Sequence, residues 1–278
     1  SSYSKSWLLM KFKKLISIIF STAILLCGSC SSETTSGTEP NPPTPTDPPK
    51  TYTDPEIVEM VQKDALKYFW DYAQSNSKLA RERYHTDNPG QDAHVVSTGG
   101  SGFGLMTILV GIKNGYVTKT DAVSRLSTAL NFLQNANRFH GAWPHWMDGN
   151  TGNVIPFSTK DNGGDLVETA FLAQGLICVR EYFKNSSDAT ELAISKKADD
   201  LWKGIEWNWY TQGQNVLYWH WSPNYNFEMN HQLRGFDETL ITYVLAAASP
   251  NYAIEKTVYT EGWARSGAIK TSASQYGI

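Results

Sequence analysis

Six helical segments follow Asp54, and they alternate between two patterns of hydrophobicity. The first, third and fifth are amphipathic, and the apolar stripe of the third runs through Ala122, Leu126, Ala129 and Leu133. The second, fourth and sixth are apolar on nearly every side. A helix with one apolar stripe buries one face, whereas a helix that is apolar all round must be covered on every side. The alternation predicts an all-α protein with two concentric layers, a helical toroid whose apolar helices form the inner layer.

The three apolar helices open with glycine-rich or polar sequences, which are TGGSGFG, NGGD and RGFDE. These openings recur at a spacing of roughly 60–75 residues, so each pair of helices behaves as one degenerate repeat. In a toroid the openings gather at one end of a central cavity. A closed ring of this type needs about twelve helices, and six are visible. We therefore expect the N-terminal half of a toroid, with an uncovered apolar edge near its C-terminal end. The alternative is a smaller, free-standing helical domain.

The first 30 residues have the pattern of an export signal. Three lysines between residues 11 and 14 precede the apolar run Leu15–Leu26, which is too short to cross a bilayer. Cys27 and Cys30 follow among small residues. This arrangement predicts a bacterial lipoprotein signal over residues 1–30, with Cys30 as the lipidated residue. An ordinary cleaved signal peptide is the alternative.

Residues 31–53 are rich in proline and threonine and contain almost no apolar residues. Such a composition favours an extended chain and predicts a disordered linker. The folded domain then comprises residues 54–278. We expect the lipid anchor alone to hold it at the cell envelope, in the periplasm or on the outer-membrane surface.

Charge and cysteine content exclude several classes of protein. The chain has 24 Lys and Arg residues against 27 Asp and Glu, so it lacks the basic excess that a nucleic-acid binder needs. Its three cysteines cannot form a disulfide framework, and its histidines are too scattered to predict a metal site. The sequence contains neither a phosphate-binding loop nor a serine nucleophile motif. No cofactor or metal is predicted, and a monomer is expected.

Two long segments before the inner helices, residues 138–165 and 215–238, combine aromatic residues with His, Asn and Arg. A sugar stacks its C–H face on an aromatic ring while its hydroxyl groups bind polar side chains, so this composition favours carbohydrate. The candidate substrate-binding residues are Trp143, His145, Trp146, Trp219, His220, Tyr225 and Arg234. Some of the tryptophans could instead pack against the core, which is the expected role of Trp202, Trp207 and Trp209.

The catalytic candidates are carboxylates at or just before the starts of inner helices, namely Asp161, Asp165, Glu168 and Glu238. Asp165 and Glu168 also match a capping box, in which Asp165 caps the helix and Glu168 reaches back to it. Because a helix N-terminus lowers a carboxyl pKa, a capping Asp165 is a poor general acid. A general acid needs burial among apolar groups. Glu238, beside Phe236 and Leu240, fits this requirement first, and Glu168 fits it second.

Five blocks carry a family resemblance: VSTGGSGFGLMTILVGI, RFHGAWPHWMDGNTGNVIPFS, DNGGDLVETAFLAQGL, LYWHWSPNY and RGFDETLITYVLAAASP. They resemble the bacterial glycoamylase-like family, which includes the β-1,2-glucanases of glycoside hydrolase family 144. The resemblance extends from Pro55 to Gly262 and implies an (α/α)6 barrel. It also implies an inverting glycosidase that cleaves β-1,2-glucan internally or releases sophorose from a chain end.

The resemblance places the acidic cluster of the family at Asp161, Asp165 and Glu168, and the glutamate of the next inner helix at Glu238. Asp237 departs from the family pattern, which more often has Asn at this position. Family members are also longer than this chain, so the fragment alone could be inactive.

The resulting hypothesis is a lipid-anchored glycoside hydrolase of a bacterial glycan-degradation system. Glu238 or Glu168 would protonate the leaving oxygen, and Asp161 or a residue beyond Ile278 would activate water. A first alternative is a non-catalytic glycan-binding lipoprotein of a sugar-uptake system, which would not need converging acids. A second is a toroid lyase or a sugar epimerase, which would favour Tyr, His or Arg as the base.

Overall fold

A computed structural model describes residues 50–270 and 272–274 of the protein. The predicted signal segment with Cys30, and nearly all of the predicted linker, lie outside the described residues. Within the described part, the six α-helices are α1 Asp54–Trp70, α2 Thr98–Lys113, α3 Lys119–Asn135, α4 Leu166–Phe183, α5 Ala189–Lys203 and α6 Leu240–Ala248. None of the described helices is both long enough and apolar enough to cross a membrane.

The helices form two layers in the predicted alternating order. In the inner layer α2 packs on α4, and α4 packs on α6. In the outer layer α1 lies against α2, and α5 lies against α4 and α3. The stripe predicted for α3 faces the core, since Ala122, Leu126, Ala129 and Leu133 are all fully buried. The double-layered α/α arrangement expected from the sequence is therefore confirmed.

Glycines bring the inner helices α2 and α4 unusually close together. A Cβ atom at Gly102 would collide with the carbonyl oxygen of Phe171, and one at Gly175 would collide with the carbonyl oxygen of Gly102. A close-packed interior leaves no room for these methyl groups, so glycine is required at both positions. This contact places the N-terminal turns of α2 and α4 side by side.

The long loops contain five short strands that the sequence analysis did not predict. Strands β1 (Val95–Ser97), β2 (Trp146–Asp148) and β3 (Val154–Ile155) form an antiparallel sheet in that order. Strands β4 (Gly164–Asp165) and β5 (His220–Trp221) form a separate antiparallel ladder, in which Asp165 pairs with His220. Segments of two or three residues are too short to show a period of two. The β4–β5 ladder holds two distant loops against the start of α4.

The inner helix α6 is shorter and more exposed than its sequence predicts. It begins only at Leu240, and the side chains of Leu240 and Val244 are 38% and 52% exposed. The expectation that α6 is covered on every side is wrong for the described residues. Apolar side chains are also exposed on α1, where Val61 is 61% exposed. Apolar side chains are thus exposed on both α6 and α1, whereas part of the C-terminal end, where the uncovered edge is predicted, lies outside the described residues.

Candidate active site

Asp165 organises the cluster of titratable groups at the start of α4. It is the N-cap of this helix and is fully buried. Its Oδ1 accepts hydrogen bonds from the backbone N–H of Glu168 at 2.8 Å and from Nε1–H of Trp219 at 2.9 Å. Its Oδ2 lies 2.9 Å from Nδ1 of His145. The predicted capping role is confirmed, and with three partners Asp165 holds other groups in place.

Glu168 does not complete the predicted capping box. Its Oε2 accepts a hydrogen bond of 2.8 Å from the backbone N–H of Gly99, in the first turn of α2. The backbone N–H of Asp165, which a capping box would use, donates instead to the carbonyl oxygen of Trp143 at 2.9 Å. Burial and then the charge of Asp165 raise the pKa of Glu168, against the opposing effects of His145 and of the Gly99 hydrogen bond.

Asp161 lies in the loop before β4 and is only 3% exposed. Neither of its carboxylate oxygens has a hydrogen-bond partner among the described residues. Burial, followed by the charge of Asp165, raises its pKa from 3.8 to about 7. A carboxyl group with this pKa is partly protonated and partly ionised near neutral pH, so it can exchange protons with a reactant.

Two histidines flank the acids, and their pKa values shift in opposite directions. Burial lowers the pKa of His145, but its hydrogen bond to Asp165 and the nearby negative charges outweigh this effect and raise the pKa overall. Burial lowers the pKa of His220 to about 4, so this imidazole is neutral near pH 7. Its Nε2 lies 3.4 Å from Oδ2 of Asp161 and 3.7 Å from Oδ2 of Asp165. His220 therefore contacts both acids as a neutral group, and these contacts are not salt bridges at neutral pH.

One group of ligand atoms in this cluster could accommodate a metal ion. The ligand atoms of His145, Asp161 and Asp165 lie within 4.8 Å of one another. Nitrogen and carboxylate oxygen are suitable donors for several divalent cations. However, the hydrogen bond between His145 and Asp165 satisfies two of the three groups without a cation, and the arrangement by itself does not call for one.

Aromatic rings line the approach to the acids. Trp146 and Phe157 make an edge-to-face contact with ring centroids 4.8 Å apart, and Phe157 lies 4.2 Å from the ring of His145. Trp146 is half-buried, whereas Phe157 is 51% exposed. The sequence analysis missed Phe157, although it lies two residues after β3 in a segment already assigned to carbohydrate binding. These rings form an exposed surface beside His145.

Trp143 is misassigned by the sequence analysis as a substrate-binding residue. Its side chain is fully buried, and its Nε1–H donates a 3.0 Å hydrogen bond to the carbonyl oxygen of Leu133 on α3. The guanidinium of Arg138 covers the ring at 4.1 Å from the ring centroid. Trp143 packs between the loop and the outer layer, so it cannot contact a substrate.

The structure removes the physical basis for ranking Glu238 first among the general acids. Glu238 is exposed, and its neighbour Phe236 is 90% exposed, so the apolar burial expected around Glu238 is absent. The physical reason is that α6 starts only at Leu240, leaving residues 236–238 outside the helix. Glu238 does act on the site, since its charge helps to raise the pKa of Glu168. Asp161 and Asp165 are buried, and Glu168 is half-buried.

Three further predicted binding residues have internal partners. Trp219 donates to Asp165 and stacks on His220 with centroids 5.7 Å apart. Arg234 donates to the side chain of Gln232 at 2.9 Å and to the carbonyl oxygen of Glu261 at 3.1 Å, so its guanidinium joins two chain segments.

Tyr225 lies in the turn after β5. Its backbone N–H donates to Oγ of Ser222 at 3.1 Å, and Ser222 in turn donates to the side chain of Asn162. The turn that carries Tyr225 is thereby tied to the loop that carries Asp161.

Comparisons with known proteins agree with this geometry. Residues 230–278 match the family model Glycoamylase, described as "Putative glucoamylase". An exo-β-1,2-glucooligosaccharide sophorohydrolase (non-reducing end) from Parabacteroides distasonis is 46% identical over 215 residues, which are 76% of this chain and 29% of that protein.

Solved structures are similar as well. An endo-β-1,2-glucanase from Chitinophaga pinensis, in complex with sophorotriose and glucose, is 53% identical with a TM-score of 0.79, covering 82% of this chain and 55% of that one. A structure from Bacteroides fragilis that bears the same name as the family description is 49% identical with a TM-score of 0.79, covering 84% and 56%. These proteins have the (α/α)6 toroid fold. The chain spans about half the length of these structures and less than a third of the sophorohydrolase.

Proposed function

We propose that this chain, which belongs to the glycoamylase-like family, carries the acid–base groups of a glycoside hydrolase that cleaves β-1,2-glucan. The observation that carries the proposal is a pair of carboxyl groups with raised pKa values, the buried Asp161 just before one inner helix and the half-buried Glu168 in its first turn. The relatives support the substrate, since their names state action on β-1,2-glucan or its oligosaccharides.

Glu168 is the general acid in this proposal. Inverting hydrolysis needs one carboxylic acid that keeps its proton until it passes it to the leaving glycosidic oxygen. The raised pKa of Glu168 favours the protonated form. The hydrogen bond from Gly99 fixes Oε2 and leaves the other oxygen of the carboxyl group to act as the proton donor.

Asp161 is the general base. A base works best when its pKa lies near the working pH, and the pKa of Asp161 is about 7. Neither of its oxygens has a hydrogen-bond partner among the described residues, so either can accept a proton from an attacking water molecule.

Three residues keep these acids in position. Asp165 binds His145 and Trp219, and these contacts hold the start of α4 against the residues that precede β2 and β5. His220 stays neutral next to Asp161, and a neutral imidazole adds no positive charge that would lower the pKa of that carboxyl group. Trp146 and Phe157 supply the aromatic surface on which a glucose ring stacks.

The test is hydrolysis of β-1,2-glucan by the full-length protein, measured as release of reducing ends. Starch and β-1,3-glucan serve as control substrates. Product masses after reaction in ¹⁸O-labelled water distinguish hydrolysis, which adds water, from elimination or epimerisation. We expect labelled β-1,2-gluco-oligosaccharides. Binding of the glucan without release of reducing ends would instead support a non-catalytic glycan-binding protein.

The proposed cellular location rests on the sequence alone. The basic and apolar segments before Cys30 support a lipoprotein signal, with a monomeric domain held at the cell envelope by the lipid. A two- or three-chain lipid anchor holds firmly, whereas a single chain binds weakly. We expect labelled palmitate to be incorporated by a bacterial host and the protein to fractionate with membranes. Cys30→Ala should release it, and Cys27→Ala is the matched control.

A further inference from the structure

A second pocket lies at the end of α5, away from the acids. Its volume is about 530 Å³, within the range of small-ligand sites. The residues that line it include three with aromatic side chains, Trp209, Phe227 and Tyr252, and three with longer polar side chains, Glu206, Asn208 and Gln212. The sequence predicts that Trp202, Trp207 and Trp209 pack against the core. Trp202 and Trp207 are buried as predicted, but Trp209 is 42% exposed.

The β4–β5 ladder separates this pocket from the acids. Neighbouring residues of a strand point to opposite faces. On β5, His220 contacts Asp161 and Asp165, whereas Trp221 contacts the rings of His140 and Trp209. The pocket and the candidate active site therefore lie on opposite faces of one ladder.

A buried side chain fills the space between the β4–β5 ladder and the pocket. The ring of Tyr210 is fully buried beneath Gly164, where any Cβ atom would collide with its hydroxyl group. Tyr210 also contacts Phe227, which lines the pocket, at 6.3 Å between ring centroids. Buried packing thus separates the pocket from the acids, and a change in the pocket need not alter them.

Trp209 is held as a flat platform. The ring of His140 stacks on one face of the indole at 3.7 Å between centroids and 13° between planes. The side chain of Glu206 lies 3.3 Å from Nδ1 of His140 and fixes that ring from behind. Trp221 abuts the indole edge-on at 6.2 Å. One face of Trp209 is therefore supported by protein, and the other is available to the pocket.

The lining selects a neutral polyhydroxylated ligand. An aromatic ring with one supported face suits the C–H face of a sugar, and the amides of Asn208 and Gln212 suit its hydroxyl groups. Among the described residues that line the pocket, none is Lys or Arg, so an anionic ligand would lack a counter-charge. We propose that this pocket is a second carbohydrate-binding site that holds a gluco-oligosaccharide segment. The identification of that segment as β-1,2-glucan rests on the proposed function.

The test is the retention of the full chain in native gels that contain β-1,2-glucan. We expect Trp209→Ala to weaken the apparent Kd by about tenfold, as expected for loss of a stacking ring. Tyr182→Ala, which removes an exposed aromatic ring from α4, is the matched control and should bind like the parent. Because Trp209 also packs on His140, the double variant Asn208→Ala and Gln212→Ala provides an independent test that leaves every ring in place.

Asp161→Asn separates the two sites. If retention persists in this variant but falls in both pocket variants, the second site is supported, whether or not the parent hydrolyses the glucan. If retention is unchanged in both pocket variants, or if the parent shows none, the inference is wrong, and hydrolysis by the parent still supports the proposed function. Circular dichroism confirms that each variant is folded.

Discussion

The carboxylate of Glu168 on α4 accepts a 2.8 Å hydrogen bond from the backbone N–H of Gly99 on α2. This bond joins the first turns of two neighbouring inner helices and places the carboxylate of Glu168 at the N-termini of both. A Cβ atom at Gly99 would collide with Oε2 of Glu168. The absence of a side chain at Gly99 on α2 therefore allows Glu168 on α4 to keep its position.

Gly99→Ala should impair catalysis more than folding. The added methyl group displaces the carboxyl group of Glu168, and a small misplacement of a catalytic group costs about 10- to 100-fold in rate. Alanine is favoured over glycine in a helix, so the midpoint of thermal unfolding should change little. Steady-state kinetics and thermal unfolding measure the two effects. Gly100→Ala is the control, because its Cβ atom would lie 3.2 Å from the nearest atom, Oγ of Ser97. Equal kcat values for the two variants would contradict the role of this contact.

Asp161 should make the folded protein less stable as the pH rises. Its pKa is about 7 in the folded state against an ordinary value of 3.8, so the folded state binds the extra proton between these pH values. The free energy of unfolding must then fall as the pH rises from about 4 to 7. Asp161→Asn removes this effect and should stabilise the protein at pH 8 by up to about 4 kcal/mol, with little difference near pH 4.

Urea unfolding at both pH values measures this change. Asp200→Asn alters an exposed ion pair on α5 and should keep the pH dependence of the parent. Equal stability of Asp161→Asn and the parent at pH 8 would show that Asp161 is ionised in the folded protein without cost.

We expect Trp143 to stabilise the fold and Trp146 to bind substrate. Trp143→Ala removes a fully buried ring and should lower the free energy of unfolding by about 3–5 kcal/mol. Trp146→Ala removes a half-buried ring beside Phe157 and should raise KM by about tenfold with a much smaller loss of stability. A stable Trp143→Ala variant with a raised KM would restore Trp143 to the substrate site.

Glu238 should tune the pH dependence of activity. Its negative charge helps to raise the pKa of Glu168, so Glu238→Gln lowers the pKa of the general acid. The acid then loses its proton at a lower pH, and the alkaline limb of the kcat/KM profile moves toward lower pH. Profiles of Glu238→Gln and of Glu228→Gln, an exposed control paired with Lys160, make the comparison. An unmoved alkaline limb would mean that another group is the acid.

Local patterns predicted the helices and the role of Asp165. The stripe on α3 and the cap at Asp165 depend on residues three or four positions apart, which the sequence displays directly. The prediction that the two long loops bind carbohydrate could also be made from the sequence, because it rests on their composition. The contacts between residues within the site could not be predicted from local patterns, since residues in contact there, such as Gly99 and Glu168, are 69 residues apart.

Which aromatic side chains of the loops are buried could not be predicted from the sequence. Trp143 and Trp146 stand three positions apart in one aromatic segment, yet one is fully buried and the other faces the site. Which of them turns inward depends on the pairing of β2 with β1 and β3, strands too short to recognise. Similarly, the exposure of Glu238 follows from the late start of α6, and helix boundaries are poorly defined by periodicity.

The most direct test of the account is the turnover of β-1,2-glucan by Asp161→Asn and Glu168→Gln in the full-length protein. Glu181→Gln, an exposed residue on the same helix as Glu168, is the control. We expect kcat to fall by about 100- to 10,000-fold in the first two variants, with folding retained, and to stay at the parental value in the control. Near-parental turnover by either Asp161→Asn or Glu168→Gln would contradict the assignment of these two carboxyl groups as the acid–base pair.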